Sequence, residues 1–136
     1  MKETQLDITP LKKANEAFSR ALALSGKVEK EFYEVYRAGI IQNFEFGFEL
    51  CWKFIRRWLE ADDPKEVDRA LTKKDLFRIA HERGLIRDVE KWFVYLNARN
   101  RTSHIYDEMV AEEVFSVTLE FHLDSMFFTQ ELEKRV

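Results

Sequence analysis

An arginine, an asparagine and a histidine occur close together late in the chain, at Arg99, Asn100 and His104. An imidazole exchanges a proton near neutral pH, and a guanidinium presents a planar fork of N–H donors to two phosphate oxygens. Cleavage of an RNA phosphodiester can use both groups, because protons move at the attacking 2′-hydroxyl and the leaving 5′-oxygen while negative charge shifts on the phosphate. These residue types therefore favour a metal-independent ribonuclease.

The spacing of the three residues sets a condition on the structure. Asn100 precedes His104 by four positions, which places both side chains on one helical face, where Asn100 could orient the imidazole or contact phosphate. Arg99 and His104 are separated by about 140 degrees around a continuous helix. A reaching arginine, a helix end or a second subunit must therefore bring them together.

The same segment interrupts an apolar stripe. Val89, Trp92 and Leu96 predict a core-facing residue at position 99, and apolar character returns only at Val110. Burying unpartnered polar groups costs about 1 to 3 kcal/mol each, so the interruption needs a reason. A cleft is one reason, and a plain polar connection between two helices is another. The interrupting residues are Arg99, Asn100, Ser103, His104 and Asp107.

Helical periodicity runs through most of the chain, which contains only four Gly and two Pro. The pattern predicts an all-α protein, an antiparallel four-helix bundle with a short accessory helix. Bulky aromatic residues recur at helical spacing and are expected to pack helix against helix or to cover a dimer interface. The predicted helices cover about 8–25, about 31–61 with a candidate bend at Gly39, 72 or 73 to 84, 88 onward, and about 109–132.

The whole-chain composition limits the class of protein. A length of 136 residues fits one domain over 1–136, and 46% hydrophobic with 35% charged residues is typical of a folded globular chain. The formal net charge of -3 argues against a broad basic surface for nucleic acid, so any RNA contact must be local. With a single cysteine, no signal-peptide pattern and no long apolar run, the expected location is the cytoplasm, away from membranes.

Several other residues carry weaker signals. Carboxylate and basic side chains three and four positions apart on the second predicted helix are a candidate site wall, although solvated ion pairs are the commoner outcome of this spacing. Two histidines have no neighbouring ligand set, so no metal and no cofactor are expected. Three tryptophans favour the core or an interface over a base-stacking platform. These residues are Glu45, Glu49, Lys53 and Arg56, then His81 and His122, then Trp52, Trp58 and Trp92.

The string from Arg99 to Tyr106 resembles the Arg-x-x-x-x-His-x-Tyr motif of HepT-like HEPN toxins, which are paired with minimal nucleotidyltransferase antitoxins. Three further segments look like the family described as nucleotidyltransferase substrate-binding proteins. They are residues 40–46 with 48–53, the Gly84-Leu85-Ile86 turn and the Tyr106-Asp107-Glu108 triplet. The features occur in the family's order, and the resemblance covers nearly the whole chain.

The resemblance implies a HEPN fold and a homodimer whose two motifs line one cleft. It places Arg99 and His104 in the catalytic positions of a metal-independent endoribonuclease, with Asn100 in a supporting position. Tyr106 matches the tyrosine that the partner nucleotidyltransferase adenylylates to silence the toxin. The older family description implies an alternative, a noncatalytic subunit that binds a nucleotide or substrate for its partner's transfer reaction. The nucleotidyltransferase motif itself, Gly-Ser with paired aspartates, is absent from the sequence.

Overall fold

The structure is a computed structural model that describes residues 6–136, and its regular elements are all helical, as the sequence predicts. None of these helices is both long and apolar enough to cross a membrane. Single 3-10 turns at Lys30–Phe32 and Thr102–His104 precede α2 and follow α5. The α-helices are α1 (Thr9–Leu22), α2 (Tyr33–Asp62), α3 (Pro64–Arg69), α4 (Lys73–Glu82), α5 (Val89–Arg101), α6 (Glu108–Ser116) and α7 (Thr118–Glu133).

Four of the described α-helices, α3 to α6, begin where a capping side chain satisfies backbone N–H groups that have no partner within the helix. Thr72 and Asp75 form a reciprocal capping box at the start of α4. Asp88 accepts hydrogen bonds from two backbone N–H groups of α5, and Asp107 does the same for α6. After α4 the chain turns at Gly84, whose φ of 75 degrees suits a residue without a side chain. The predicted starts of α4 and α5 and the turn at Gly84 are therefore confirmed.

The last predicted helix is wrong in one respect, because the chain forms two helices with Val117 between them. The hydroxyl of Ser116 donates to the Glu113 carbonyl at 2.6 Å, and that of Thr118 donates to the Phe115 carbonyl at 2.7 Å. Such side-chain bonds compete with the helical backbone ladder. Ser116 and Thr118, one on each side of the β-branched Val117, therefore account for the break between the two helices.

Two smaller expectations also change. The helix α2 continues without interruption through Gly39, where the sequence suggested a bend. The polar stretch that follows it is not irregular, because Pro64 begins the short helix α3 and the Asp63 side chain accepts from the Glu66 N–H. Proline is suited to a first helical position because its missing N–H would have no partner there.

The core is an aromatic cluster centred on Phe121 of α7. This ring is fully buried, and five other rings from α1, α2 and α5 lie around it with centroids 5.1 to 6.3 Å away. Three of the five meet it edge-on, the arrangement that the charge distribution of aromatic rings favours. The surrounding rings are Phe18, Phe44, Phe48, Trp92 and Tyr95.

The buried stripe of α5 differs from the predicted stripe. Tyr95 and Ala98 are buried, whereas Val89 and Leu96 are only partly buried. Tyr95 takes the core position because its ring packs on Phe121 while its hydroxyl donates to the buried carboxylate of Asp124. The stripe continues from Ala98 to Thr102, so position 99 lies at the edge of the core rather than inside it.

Gly47 allows α2 and α7 to approach, since a Cβ added there would lie 3.0 Å from Cε2 of Phe121. The Phe121 ring has little freedom to move away because it is enclosed by other rings. We therefore expect Gly47→Ala to lower the free energy of unfolding by about 1–2 kcal/mol, the cost of overpacking less the gain in helix propensity. Urea denaturation followed by circular dichroism measures this change.

Gly39→Ala is the matched control, because Gly39 lies in the same helix and an added Cβ there would meet nothing within 4 Å. This variant should raise the free energy of unfolding by about 0.5–1 kcal/mol through helix propensity alone. Equal effects of the two substitutions would contradict the packing role of Gly47.

Candidate functional site

Arg99 lies in the last turn of α5 and faces the middle of α2. Its Nη1 donates to Oγ1 of Thr102 at 2.9 Å and lies 3.6 Å from Oε2 of Glu45. Its Nε is buried and lies 3.3 Å from Oε1 of Glu49, an ion pair without hydrogen-bond alignment. Two carboxylates and a hydroxyl therefore hold two of the three guanidinium nitrogens, Nη1 and Nε.

The third nitrogen of the Arg99 guanidinium, Nη2, remains available for a hydrogen bond. It makes none within residues 6–136, and the side chain is 31% exposed. A guanidinium carries five N–H donors in one plane, so a group held through two of its nitrogens can still donate to an anion through the third. The geometry leaves Arg99 able to donate to a phosphate while it stays attached to α2.

Local spacing explains how this cluster assembles. Glu45 and Glu49 are four positions apart on α2 and therefore share one helical face. Thr102 is buried three positions after Arg99, and its hydroxyl donates back to the Arg99 carbonyl at 2.8 Å. The structure thus places both glutamates of the predicted wall beside Arg99. Thr102 was missed in the sequence, although a short hydroxyl residue next to a helix end is a recognisable signal.

The other two residues of the predicted wall, Lys53 and Arg56, make no ion pair with the Arg99 cluster in the part of the chain that the structure describes. Lys53 follows Glu49 by one turn, and its Nζ lies 5.8 Å from the ring centroid of Trp52. Arg56 pairs with Glu60 at 3.1 Å on the exposed surface. The solvated ion pair that the spacing also allowed is therefore the outcome for Arg56.

His104 and Tyr106 lie in the exposed connection between α5 and α6. The Nδ1 atom of His104 is 3.4 Å from the Tyr106 hydroxyl, and the two rings meet edge-on with centroids 5.9 Å apart. Tyr106 is 84% exposed. Asn100 is also exposed and makes no hydrogen bond to His104, because α5 ends at Arg101 before their helical relation is complete. The neighbour of the imidazole is thus the tyrosine.

Both explanations of the polar segment hold in part. Arg99 lies in a partly buried cluster against α2, whereas Ser103, His104 and Asp107 belong to an exposed connection. No hydrogen bond joins Arg99 to His104 within the described chain. Because α5 ends at Arg101, Arg99 and His104 lie in neighbouring segments of the chain. The end of the helix does not by itself bring their side chains into contact.

An arginine from the start of α2 anchors the connection. Arg37 is buried at 6% exposure, and its two terminal nitrogens donate to the two carboxylate oxygens of Glu108 at 2.6 and 2.9 Å. This contact lowers the pKa of Glu108 below its usual value, and Glu112 lies 3.4 Å from the same guanidinium. Arg37 was missed in the sequence, where its signal is one charged residue between the apolar Tyr36 and Ile40.

Other residues with reactive side chains do not form a second site. Burial raises the pKa of the Cys51 thiol to about 12, which keeps it protonated. His122 is buried with its Nε2 2.8 Å from the Ser19 hydroxyl, and burial lowers its pKa. His81 is exposed in the last turn of α4. Across residues 6–136, no three potential ligands come together as a metal site.

Comparison with known proteins gives consistent similarities over most of the chain. Residues 6–134 match the family described as nucleotidyltransferase substrate binding protein like. A Haemophilus influenzae protein named probable ribonuclease HepT is 40% identical over 99 residues, which are 72% of this chain and 68% of that protein.

Two solved structures share the fold. One, from Haemophilus influenzae, is described as having the fold of a substrate binding domain of a nucleotidyltransferase. It is 31% identical, has a TM-score of 0.85, and the match covers 93% of this chain and 99% of that one. The other, from Thermus thermophilus, is 26% identical with a TM-score of 0.71, and the match covers 88% and 98% of the two chains. The helical arrangement described above is therefore that of these proteins.

Proposed function

We propose a ribonuclease function for this chain, which belongs to the nucleotidyltransferase substrate binding protein like family. The observation that carries the proposal is Arg99 just before an exposed His104: its Nη1 and Nε are held against α2, and its Nη2 makes no hydrogen bond in the described chain. The name of the relative from Haemophilus influenzae, a probable ribonuclease, supports the same activity. The chain would act as a metal-independent endoribonuclease with a HEPN-type site.

In the proposed reaction, a ribose 2′-oxygen attacks the adjacent phosphorus. The O2′–P bond forms and the P–O5′ bond breaks, which gives a 2′,3′-cyclic phosphate and a free 5′-hydroxyl. One proton leaves O2′ and one is delivered to O5′, and His104 carries one of these transfers, worth about 10²–10⁴-fold in rate. Arg99 donates to the phosphate oxygens as their charge increases, a contribution of about 10²–10³-fold.

A homodimer completes this proposal. In one chain, His104 contacts Tyr106 and Arg99 contacts α2, so a second copy would supply the missing half of a cleft. Two copies of His104 in one cleft would also provide both a base and an acid. Large apolar side chains are exposed on α2 and α6, as a buried interface between copies would require. They include Val35, Phe46 and Met109.

The proposed control of the site is adenylylation of Tyr106 by a partner nucleotidyltransferase, which makes the pair a toxin and its antitoxin. The phenol is exposed and accessible to a second enzyme. Its oxygen lies 3.4 Å from His104 Nδ1, so an AMP attached there would place a bulky anion beside the imidazole. The added group would block RNA by its size and by its negative charge.

The alternative function is a noncatalytic subunit that binds a nucleotide or substrate for a partner nucleotidyltransferase. The observation that favours it is the description of the 31% identical solved relative as a nucleotidyltransferase's substrate binding domain. The subunit would use the same Nη2 of Arg99 to hold a phosphate, without transferring protons. RNA cleavage by the purified protein separates the two functions.

His104→Ala should reduce RNA cleavage at least about 100-fold, because proton transfer by a positioned side chain contributes this much. The melting temperature should stay unchanged, since the His104 side chain is exposed and its loss leaves no cavity. Cleavage of total RNA by the purified protein is followed on a denaturing gel.

His81→Ala is the matched control, because His81 is also exposed but lies on α4. It should cleave like the unmodified protein. Equal loss in both variants, or a His104→Ala protein that melts several degrees earlier, would count against a catalytic His104. Absence of cleavage by the unmodified protein would favour the noncatalytic subunit.

Tyr106→Phe should keep most of the cleavage activity and resist silencing by the partner nucleotidyltransferase with ATP, because only the acceptor oxygen is removed. Tyr36→Phe, on a partly buried tyrosine of α2, is the control and should be silenced normally. Mass spectrometry of the treated proteins locates the added AMP. An AMP found on another residue, or on the Tyr106→Phe protein, would remove Tyr106 from this role.

A further inference from the structure

Trp52 connects the candidate site to a neighbouring surface. It lies on α2 less than one turn after Glu49, and its indole N–H donates to Oε2 of that residue at 3.0 Å. The other oxygen of the same carboxylate is the one 3.3 Å from Arg99 Nε. Glu49 therefore bridges the indole and the guanidinium. Unlike Trp58 and Trp92, which are buried, Trp52 remains partly exposed.

Two lysines from different helices meet at the Trp52 ring. The Nζ of Lys73, at the start of α4, lies 4.8 Å from the ring centroid, and the Nζ of Lys53 lies 5.8 Å from it. Both distances are within the range of cation–π attraction. Neither ammonium group has a carboxylate within 4 Å in the described part of the chain. The ring thus holds two cations whose charge is not neutralised by an ion pair.

The charge of the Arg99 cluster explains why such cations matter. One guanidinium faces two carboxylates there, so the cluster alone carries a net negative charge that opposes an incoming phosphate. Adding Lys53 and Lys73 gives three cations against two carboxylates on adjoining surfaces. A phosphate chain that reached Arg99 would therefore gain from contact with the lysines as well.

We propose that Trp52, Lys53 and Lys73 form a phosphate subsite, which binds the RNA backbone next to the phosphate that is cleaved at Arg99. The inference rests on the proposed function and extends it to substrate positioning. Trp52 orients the ammonium groups rather than stacking on a base, because both already lie within 6 Å of its ring centroid. The phosphates of a nucleoside triphosphate offer the same chemistry, so the test includes both ligands.

The test measures binding in a cleavage-inactive His104→Ala protein with two separate probes, a fluorescein-labelled single-stranded oligoribonucleotide of mixed sequence and ATP. Adding Lys53→Ala and Lys73→Ala should weaken binding about tenfold. The slope of log affinity against log salt should fall by about 1.4, since each single-strand phosphate contact contributes about 0.7. The control adds Lys13→Ala and Lys27→Ala, which removes the same charge from α1 and the residues after it. Its affinity and its slope should stay unchanged.

Trp52→Phe gives a second readout in the same protein. Binding of RNA should change the tryptophan fluorescence of the His104→Ala protein. This change should disappear when Trp52→Phe is added, because the remaining Trp58 and Trp92 are buried and out of reach of the RNA. A fluorescence change that persists in the variant would contradict binding at this ring. Circular dichroism confirms that each variant is folded before binding is measured.

The outcomes separate the subsite from the proposed function. If the lysine variant and the control bind RNA equally, the subsite is overturned, even where the unmodified protein cleaves RNA. If the lysine variant loses ATP binding but keeps RNA binding, the subsite takes nucleotide phosphates and the RNA proposal is overturned. If RNA binding falls as expected while the unmodified protein cleaves no RNA, the subsite is supported and the ribonuclease function fails.

Discussion

The pairing of Arg99 with Glu45 and Glu49 is the interaction on which the candidate site depends. It joins the end of α5 to the middle of α2 at the edge of an aromatic core. A guanidinium in a partly buried position is costly unless carboxylates compensate it, and removing one member of such a group leaves the other charges unpaired. The three side chains therefore depend on one another. Their contacts decide which edge of the guanidinium reaches solvent and where a phosphate can approach.

The two halves of the site are held in different ways. Arg99 belongs to the packed helices and has a carboxylate or hydroxyl beside both Nη1 and Nε. His104 lies in a short connection whose far end is fastened by Asp107, which caps α6, and by the contact of Arg37 with Glu108. The imidazole itself is exposed. In the proposed cleft, a second chain and the RNA would supply the remaining surfaces around His104.

Sequence patterns predicted the features that depend on residues close together in the chain. The all-helical class, the caps at Thr72 and Asp88, and the shared face of Glu45 and Glu49 follow from spacings of three and four positions. Two of the features that were missed depend on distant partners. Arg37 and Glu108 are 71 positions apart, and the buried stripe of α5 is set by the rings of α2 and α7. Local periodicity carries no information about such contacts, so the stripe alone predicts a core-facing position at 99, which Arg99 interrupts.

The central claim is that Arg99 and His104 act on the same phosphate. A crystal structure of the protein with single-stranded RNA lacking the 2′-hydroxyl at the cleaved nucleotide tests it directly, because this substrate binds without reacting. The account predicts a phosphate oxygen about 2.7–2.9 Å from Nη2 of Arg99, with Glu45 still beside Nη1, Glu49 still beside Nε, and the His104 imidazole beside the same phosphate. RNA bound on another face, with both residues left unoccupied, would contradict it.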